Sequence, residues 1–225
     1  MCIRDRVLCM YNFTFNIPTK IHFGKDTISS LSELKAYGSK VLLVYGGGSI
    51  KKNGLYDTAM KILKDAGLTV FELSGVEPNP KIETVRKGVE ICKNEGIDMV
   101  LAIGGGSTID CSKVVAAGAK YDGDAWDLVL DGSKVKAALP IFDVLTLSAT
   151  GTEMDPFAVI SDMSKNEKWG TGSPYMVPTM SILNPEYTFS VSKKQTAAGT
   201  ADMMSHTMET VSYTHLRAHE TKANL

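Results

Sequence analysis

Asp202 and His206 stand four residues apart in QTAAGTADMMSHTMETV, a stretch from Gln195 onward with the composition of a helix. At that spacing a carboxylate and an imidazole share one helical face. Glu209 follows three residues later. Such a face can hold a divalent cation or form an ion pair, and the ion pair is the commoner outcome. As metal ligands the two are incomplete, because a catalytic zinc site takes about three protein ligands and keeps one position open. A second kind of chemistry lies earlier. The apolar run Met99 to Ile103 ends in Gly104-Gly105-Gly106-Ser107, and apolar Cys111, Val114 and Val115 then recur at helical steps. A buried strand that turns through glycines into a helix lets the backbone approach a ligand closely and offers unpaired N–H groups to an anion. We read it as a pyrophosphate seat. A flexible linker has a similar composition, but a linker has no reason to join an apolar run to an amphipathic helix. The motif is not the dinucleotide fingerprint, since Ile109 stands where a third glycine would.

These residues need elements to position them. The pattern predicts a strand through Phe13, Phe15 and Ile17, a short strand at Ile21-His22-Phe23, and a short helix from Thr27 to Tyr37 closed by Gly38. His22, alone among apolar neighbours, reads as structural. Val41 to Tyr45 is a buried strand running into Gly46-Gly47-Gly48-Ser49, a glycine turn like the later one. A helix carrying Leu55, Ala59, Ile62 or Leu63, and Ala66 inward follows, then a strand from Leu68 to Leu73. Glu72 lies where a dinucleotide fold would place a ribose-binding acid; without the full fingerprint it reads as a solvated strand end. In Glu77-Pro78-Asn79-Pro80, Asn79 suits an N-cap and Pro80 a first helical position. The helix carries Ile82, Val85, Val89 and Cys92, and Gly96 closes it. The alternation of strands and helices predicts an α/β fold, a parallel sheet covered on both faces, with ligands beyond the carboxyl ends of the strands, where both glycine turns fall.

DGDAWDLVLDGSKVK reads as a polar connection, and Ile141 to Leu147 as a strand. Ser148-Ala149-Thr150-Gly151-Thr152-Glu153 is a loop dense in hydroxyls and backbone donors, fit for phosphate or ribose or for an ordinary turn. Phe157 to Ile160 and Met176 to Leu183 read as strands, with Pro174 and Pro178 placing the latter at an edge, and Asn184-Pro185 marks a boundary. With 44% hydrophobic and 22% charged residues the 225-residue chain has globular composition. A net charge of −1 gives no electrostatic case for nucleic acid or an anionic membrane. No apolar run approaches the roughly 20 residues of a spanning helix. Four cysteines without paired metal spacing favour a reduced, cytoplasmic setting.

Taken together, IPTKIHFG at 17–24, YGGGSIKKNGLYD at 45–57, EPNP at 77–80, GGGSTIDCSK at 104–113, SATGTEMD at 148–155 and QTAAGTADMMSHTMET at 195–210 resemble the iron-containing (group III) alcohol dehydrogenases, in particular the butanol dehydrogenase and aldehyde reductase branch. The resemblance covers roughly residues 11–210. It implies a dehydroquinate synthase-like architecture, with a parallel-sheet dinucleotide-binding domain over residues 11–184 and the start of an all-helical metal-binding domain over 185–210. It implies one divalent metal, Fe2+ or Zn2+, with Asp202 and His206 on the first two ligand positions and acting in catalysis through that metal. Gly104, Gly105, Gly106 and Ser107 would hold the cofactor pyrophosphate, with Asp110 near the nicotinamide and Thr146, Ala149 and Thr150 along the cofactor. Gly47, Gly48 and Ser49 would lie near the adenosine ribose, Asn79 would join the cofactor set, and Lys168 would lie along the cleft. Lys51 and Lys52 beside a Gly-Ser pair can accept a 2′-phosphate, which favours NADP(H) over NAD(H). Ser148 and Asn184 depart from a commoner proline and aspartate without removing a ligand.

The implied reaction interconverts a primary alcohol and an aldehyde. The family's other two metal ligands, both histidines, would lie further along than this chain reaches. Residues 1–10 and 211–225 do not continue the family pattern and read as a non-native leader and tail, so His215 and His219 are not expected to be ligands. The expected piece is a truncated product with little or no turnover, from a parent that dimerises through residues 11–17. The rival readings are a glycerol dehydrogenase or dehydroquinate synthase-type relative, and a metal-free nucleotide-binding module.

Overall fold

The computed structural model describes residues 16–223, with side chains through residue 209. The expectations for Phe13, Phe15, the leader and the tail side chains lie outside the described residues. A six-stranded, wholly parallel sheet forms the centre: β1 (Lys20–Phe23), β2 (Lys40–Tyr45), β3 (Thr69–Leu73), β4 (Met99–Gly104), β5 (Ile141–Leu145) and β8 (Met180–Leu183), in the order β1-β8-β5-β4-β2-β3. The chain first steps from β2 outward to β3, then returns to lay β4 on the other side of β2. The order therefore reverses between β2 and β4, and a crevice opens at such a reversal beyond the carboxyl strand ends.

Both faces of the sheet are covered. Met99, Leu101 and Ile103 of β4 pack with Leu31 and Leu34 and with Leu55, Ala59 and Leu63 of α2 (Leu55–Asp65). On the other face Val100 packs with α3 (Ile82–Glu95), α4 (Gly106–Gly118) and α5 (Ala125–Leu130). Burial on both faces is why β4 reads as an unbroken apolar run rather than an alternation. A β-hairpin of β6 (Phe157–Asp162) and β7 (Glu167–Gly172) lies apart from the sheet, with Ala158 and Ile160 in the core that α4 and α5 share. The last element is α6 (Lys193–Ala223).

The expected short helix over Thr27–Tyr37 is present and is a 3-10 helix, while several other expectations need correction. Ile28, Leu31 and Leu34 recur every three residues, the 3-10 period, and Ser29 and Ser32 donate to carbonyls three residues back. Ile17 lies outside any strand. The supposed polar connection contains α5: the Asp124 carboxylate accepts from the Trp126 N–H and so caps a short helix with Trp126, Leu128 and Val129 buried. Asn79 does not cap α3, whose N-cap is Lys81; Asn79 takes a left-handed backbone (φ 56°), which asparagine tolerates, and the Pro80 carbonyl accepts from the Ser161 N–H of β6. β8 is internal, between β1 and β5, because Pro174 and Pro178 fall before its first residue and cost the ladder nothing.

Candidate functional site

The two glycine turns meet at the reversal point. The first leaves β2 at Tyr45 and enters α1 (Ser49–Lys52) through Gly48, whose φ of 95° is the left-handed region that glycine enters without steric cost. The Gly75 and Val76 N–H groups donate to the carbonyls of Gly46 and Tyr45, which laces the segment leading to Asn79 over this turn. The second turn leaves β4 and starts α4. The N–H groups of Thr108 and Ile109 bond back to the Gly105 carbonyl, and the helix start ahead of them is the part whose donors have no intrahelical partner. A Cβ on Gly106 would lie 2.7 Å from Thr150 Oγ1, so any side chain here would force the Thr150 hydroxyl to move.

Most of the sequence-predicted residues converge around these turns. Ser49, Gly105 and Thr146 line a cavity of about 350 Å3, together with Ser190, Ser192 and Gln195. Asp110, Ala149 and Thr150 line a second cavity of about 640 Å3, with Phe157, Val159, Met203 and His206 also in its walls. Asn79, Ser107 and Lys168 form a linked set: Lys168 Nζ donates to Asn79 Oδ1 at 2.7 Å, and the Asn79 N–H reaches Ser107 Oγ at 3.4 Å. Gly47 and Gly48 border neither cavity. Asp202 Oδ1 and His206 Nε2 lie 3.7 Å apart on α6, and both side chains are exposed.

Glu72 is not a freely solvated strand end. Its carboxylate accepts from Tyr45 OH at 2.6 Å and Tyr56 OH at 2.7 Å, and Lys51 Nζ lies 3.9 Å away. Partial burial would raise its pKa, but the two hydroxyls and Lys51 outweigh that and hold it below the ordinary carboxylate value. Lys51 also sits over the Tyr45 and Tyr56 rings at 5.0 and 4.4 Å, a cation–π arrangement.

Sequence reasoning missed the polar groups beneath the loop. Lys113 of α4, fully buried, donates to Thr152 Oγ1 and Asp155 Oδ1. Thr152 donates to Asp110 Oδ1 at 2.6 Å, and the Val159 N–H donates to Asp110 Oδ2 at 3.0 Å. Burial raises the Asp110 pKa, against the pull of these donors and of Lys113. Burial likewise lowers the Lys113 pKa, opposed chiefly by Asp155. The signal available in the sequence was a lysine three residues after Asp110, amid Cys111, Val114 and Val115.

As donors for a metal, a carboxylate oxygen and an imidazole nitrogen suit Fe2+ or Zn2+. Two ligands each about 2.1 Å from one ion can stand up to roughly 4.2 Å apart, so the 3.7 Å separation admits a shared ion. No group of three or more metal-ligating side chains occurs among the described residues, so the donor set here stops short of a complete site.

An open parallel α/β sheet with a glycine cradle at its reversal point defines a dinucleotide-binding domain. The family model described as iron-containing alcohol dehydrogenase matches residues 18–185, and the chain belongs to that family. NADH-dependent butanol dehydrogenase A of Clostridium acetobutylicum is 62% identical over 201 residues, covering 89% of this chain and 52% of that protein. NADPH-dependent aldehyde reductase YqhD of Escherichia coli is 40% identical over 203 residues, again covering 89% and 52%. Among solved structures, NADH-dependent butanol dehydrogenase A of Thermotoga maritima superposes with a TM-score of 0.85 at 49% identity, over 89% of this chain and 51% of that one. The chain thus spans about half the length of the relatives it matches.

Proposed function

We propose that this chain is the cofactor-binding part of a metal-dependent oxidoreductase that interconverts primary alcohols and aldehydes with a nicotinamide dinucleotide. The observation that carries the reading is the placement of both glycine turns at the sheet's reversal point, with Ser49, Gly105 and Thr146 lining one cavity, Asp110, Thr150 and His206 lining a second, and Gly106 close against Thr150. The α4 start and Ser107 would hold the pyrophosphate, and the Asn79–Lys168 pair would close over it. Asp110 and Thr150 would orient the nicotinamide end beside His206, with Phe157 and Met203 shielding the space from water. Asp202 and His206 would hold the divalent ion. Held there, a nicotinamide would supply hydride-transfer chemistry and the ion would supply Lewis-acid polarisation of the substrate oxygen.

The expected preference for NADP(H) rested on Lys51 and Lys52 beside the Gly48-Ser49 pair of the first turn. Lys51 is instead engaged by two tyrosine rings and Glu72. The relative named NADH-dependent is also more similar in sequence, 62% against 40%, than the one named NADPH-dependent. We therefore favour NAD(H) as the cofactor. The proposed partners are a small alcohol or aldehyde and, in the whole protein, a second copy. Among the described residues no helix is long and apolar enough to cross a membrane.

A fluorescence titration of this chain with NADH and NADPH tests the reading: saturable binding, tighter for NADH, is expected. In the whole protein, Asp202→Asn and His206→Ala should abolish turnover yet leave that binding in place. Turnover unaffected by both substitutions would support a metal-free module instead.

A further inference from the structure

We propose that Lys113 is a positioning residue of the cofactor crevice: from beneath, its buried side chain holds the 150–157 loop in the shape that presents Thr150 and Asp110 to the nucleotide. The inference rests on the functional reading above.

The ammonium is fully enclosed. It lies 2.8 Å from each of four oxygens, Thr152 Oγ1, the Asp155 carbonyl, Asp155 Oδ1 and the Phe157 carbonyl. Three hydrogens serve four acceptors, three of them in the loop and the fourth, the Phe157 carbonyl, on the first residue of β6, where the loop ends. Thr152 passes the restraint on. It receives from Lys113 and donates its own hydrogen to Asp110 Oδ1, one helical turn before Lys113 on α4. At the near end of the same loop, Thr150 lies against Gly106 in the pyrophosphate seat. One charge therefore fixes both the loop and the carboxylate that line the larger cavity.

Packing alone does not account for a lysine here. Removing an ammonium from water is costly, and an apolar side chain of similar length would fill the space without that cost. An apolar side chain could not anchor the loop carbonyls or the Thr152 hydroxyl. The placement makes sense if loop geometry, rather than core stability, is what the side chain secures.

The test compares NADH and AMP binding to the unaltered chain, Lys113→Met and Thr152→Val, with circular dichroism as the check on folding. AMP reports the adenosine half, which the reading places at the first glycine turn. Lys113→Met should weaken NADH binding about tenfold, equal to about 1.4 kcal/mol, and leave AMP binding within about twofold. Thr152→Val, which buries no new charge, should weaken NADH in the same selective way. If Lys113→Met does not fold, Thr152→Val decides alone. Unchanged NADH affinity, or equal losses for NADH and AMP, would overturn the positioning role while the functional reading stands. No saturable NADH binding by the unaltered chain would overturn the functional reading, and this inference with it.

Discussion

Asp143 shows how a single proton can be located from heavy atoms. It is fully buried on β5, and Ser181 Oγ lies 2.6 Å from its Oδ2 and 2.7 Å from the Glu153 carbonyl. One hydroxyl hydrogen cannot serve two acceptors. Both contacts are satisfied when Asp143 is protonated and donates to Ser181, which donates onward to Glu153. Burial drives the Asp143 pKa well above the ordinary value; Ser181 and Lys113 pull it down, and Glu153 pushes it up. The folded pKa exceeds the unfolded one of about 3.9. The group's contribution to stability is therefore complete below that pH and is lost as pH rises toward the folded value, at about 1.4 kcal/mol per pH unit. Asparagine can donate to Ser181 in the same way without titrating. Urea unfolding between about pH 5 and pH 8 should therefore show a flatter stability profile for Asp143→Asn than for the unaltered chain. Parallel profiles would mean that the acid is already ionised in the fold.

At the scale of elements, the glycine turns differ in what they demand. A Cβ on Gly106 would meet Thr150 Oγ1 at 2.7 Å, whereas one on Gly47 would meet nothing within 4 Å. Gly106→Ala must displace the Thr150 hydroxyl from the start of α4, so NADH affinity should fall about tenfold, while Gly47→Ala should change it by less than about twofold. Equal effects at both positions would show that the second turn is not the closer seat. The same contrast explains which elements were readable. β2 and β4 announce themselves as apolar runs ending in glycines, because burial on both faces leaves no polar position. The short helix α5 does not, since its capping Asp124 and inward Trp126 sit among charges that locally resemble a loop. Asn79 reads as a cap, yet its side chain is taken by Lys168, 89 residues away, a partner that no local pattern reveals.

The whole molecule divides into a core buried on both sheet faces and an outlying helix. Every residue of β4 and β5 is buried, whereas α6 is exposed along nearly all its described side chains, including Met203, Met204 and Met208. Local opening should be costly where tertiary packing is dense and cheap where it is thin. Amide exchange measured by mass spectrometry should be slowest in β4 and β5 and fastest in α6, by several orders of magnitude. Comparable protection in both would mean that α6 is held by more packing than its exposure indicates. For the proposed catalysis the division matters because Asp202 and His206 ride on α6, whereas the proposed nucleotide seat lies at the strand ends of the core.

The sequence by itself determined the alternating α/β plan, the two glycine turns at strand ends, the helical face shared by Asp202 and His206, and the family resemblance. Each of these is written in local periodicity or in contiguous motifs, which need no knowledge of distant contacts. Only the tertiary structure decided that β4 folds back beside β2 and so brings the turns together. It alone placed β8 inside the sheet, joined Lys168 to Asn79, and set Lys113 under the Thr152 loop and Asp143 against Ser181. Those pairings depend on strand order and on which side chains find partners once water is excluded, and partners separated by 38 to 89 residues leave no mark on the chain between them.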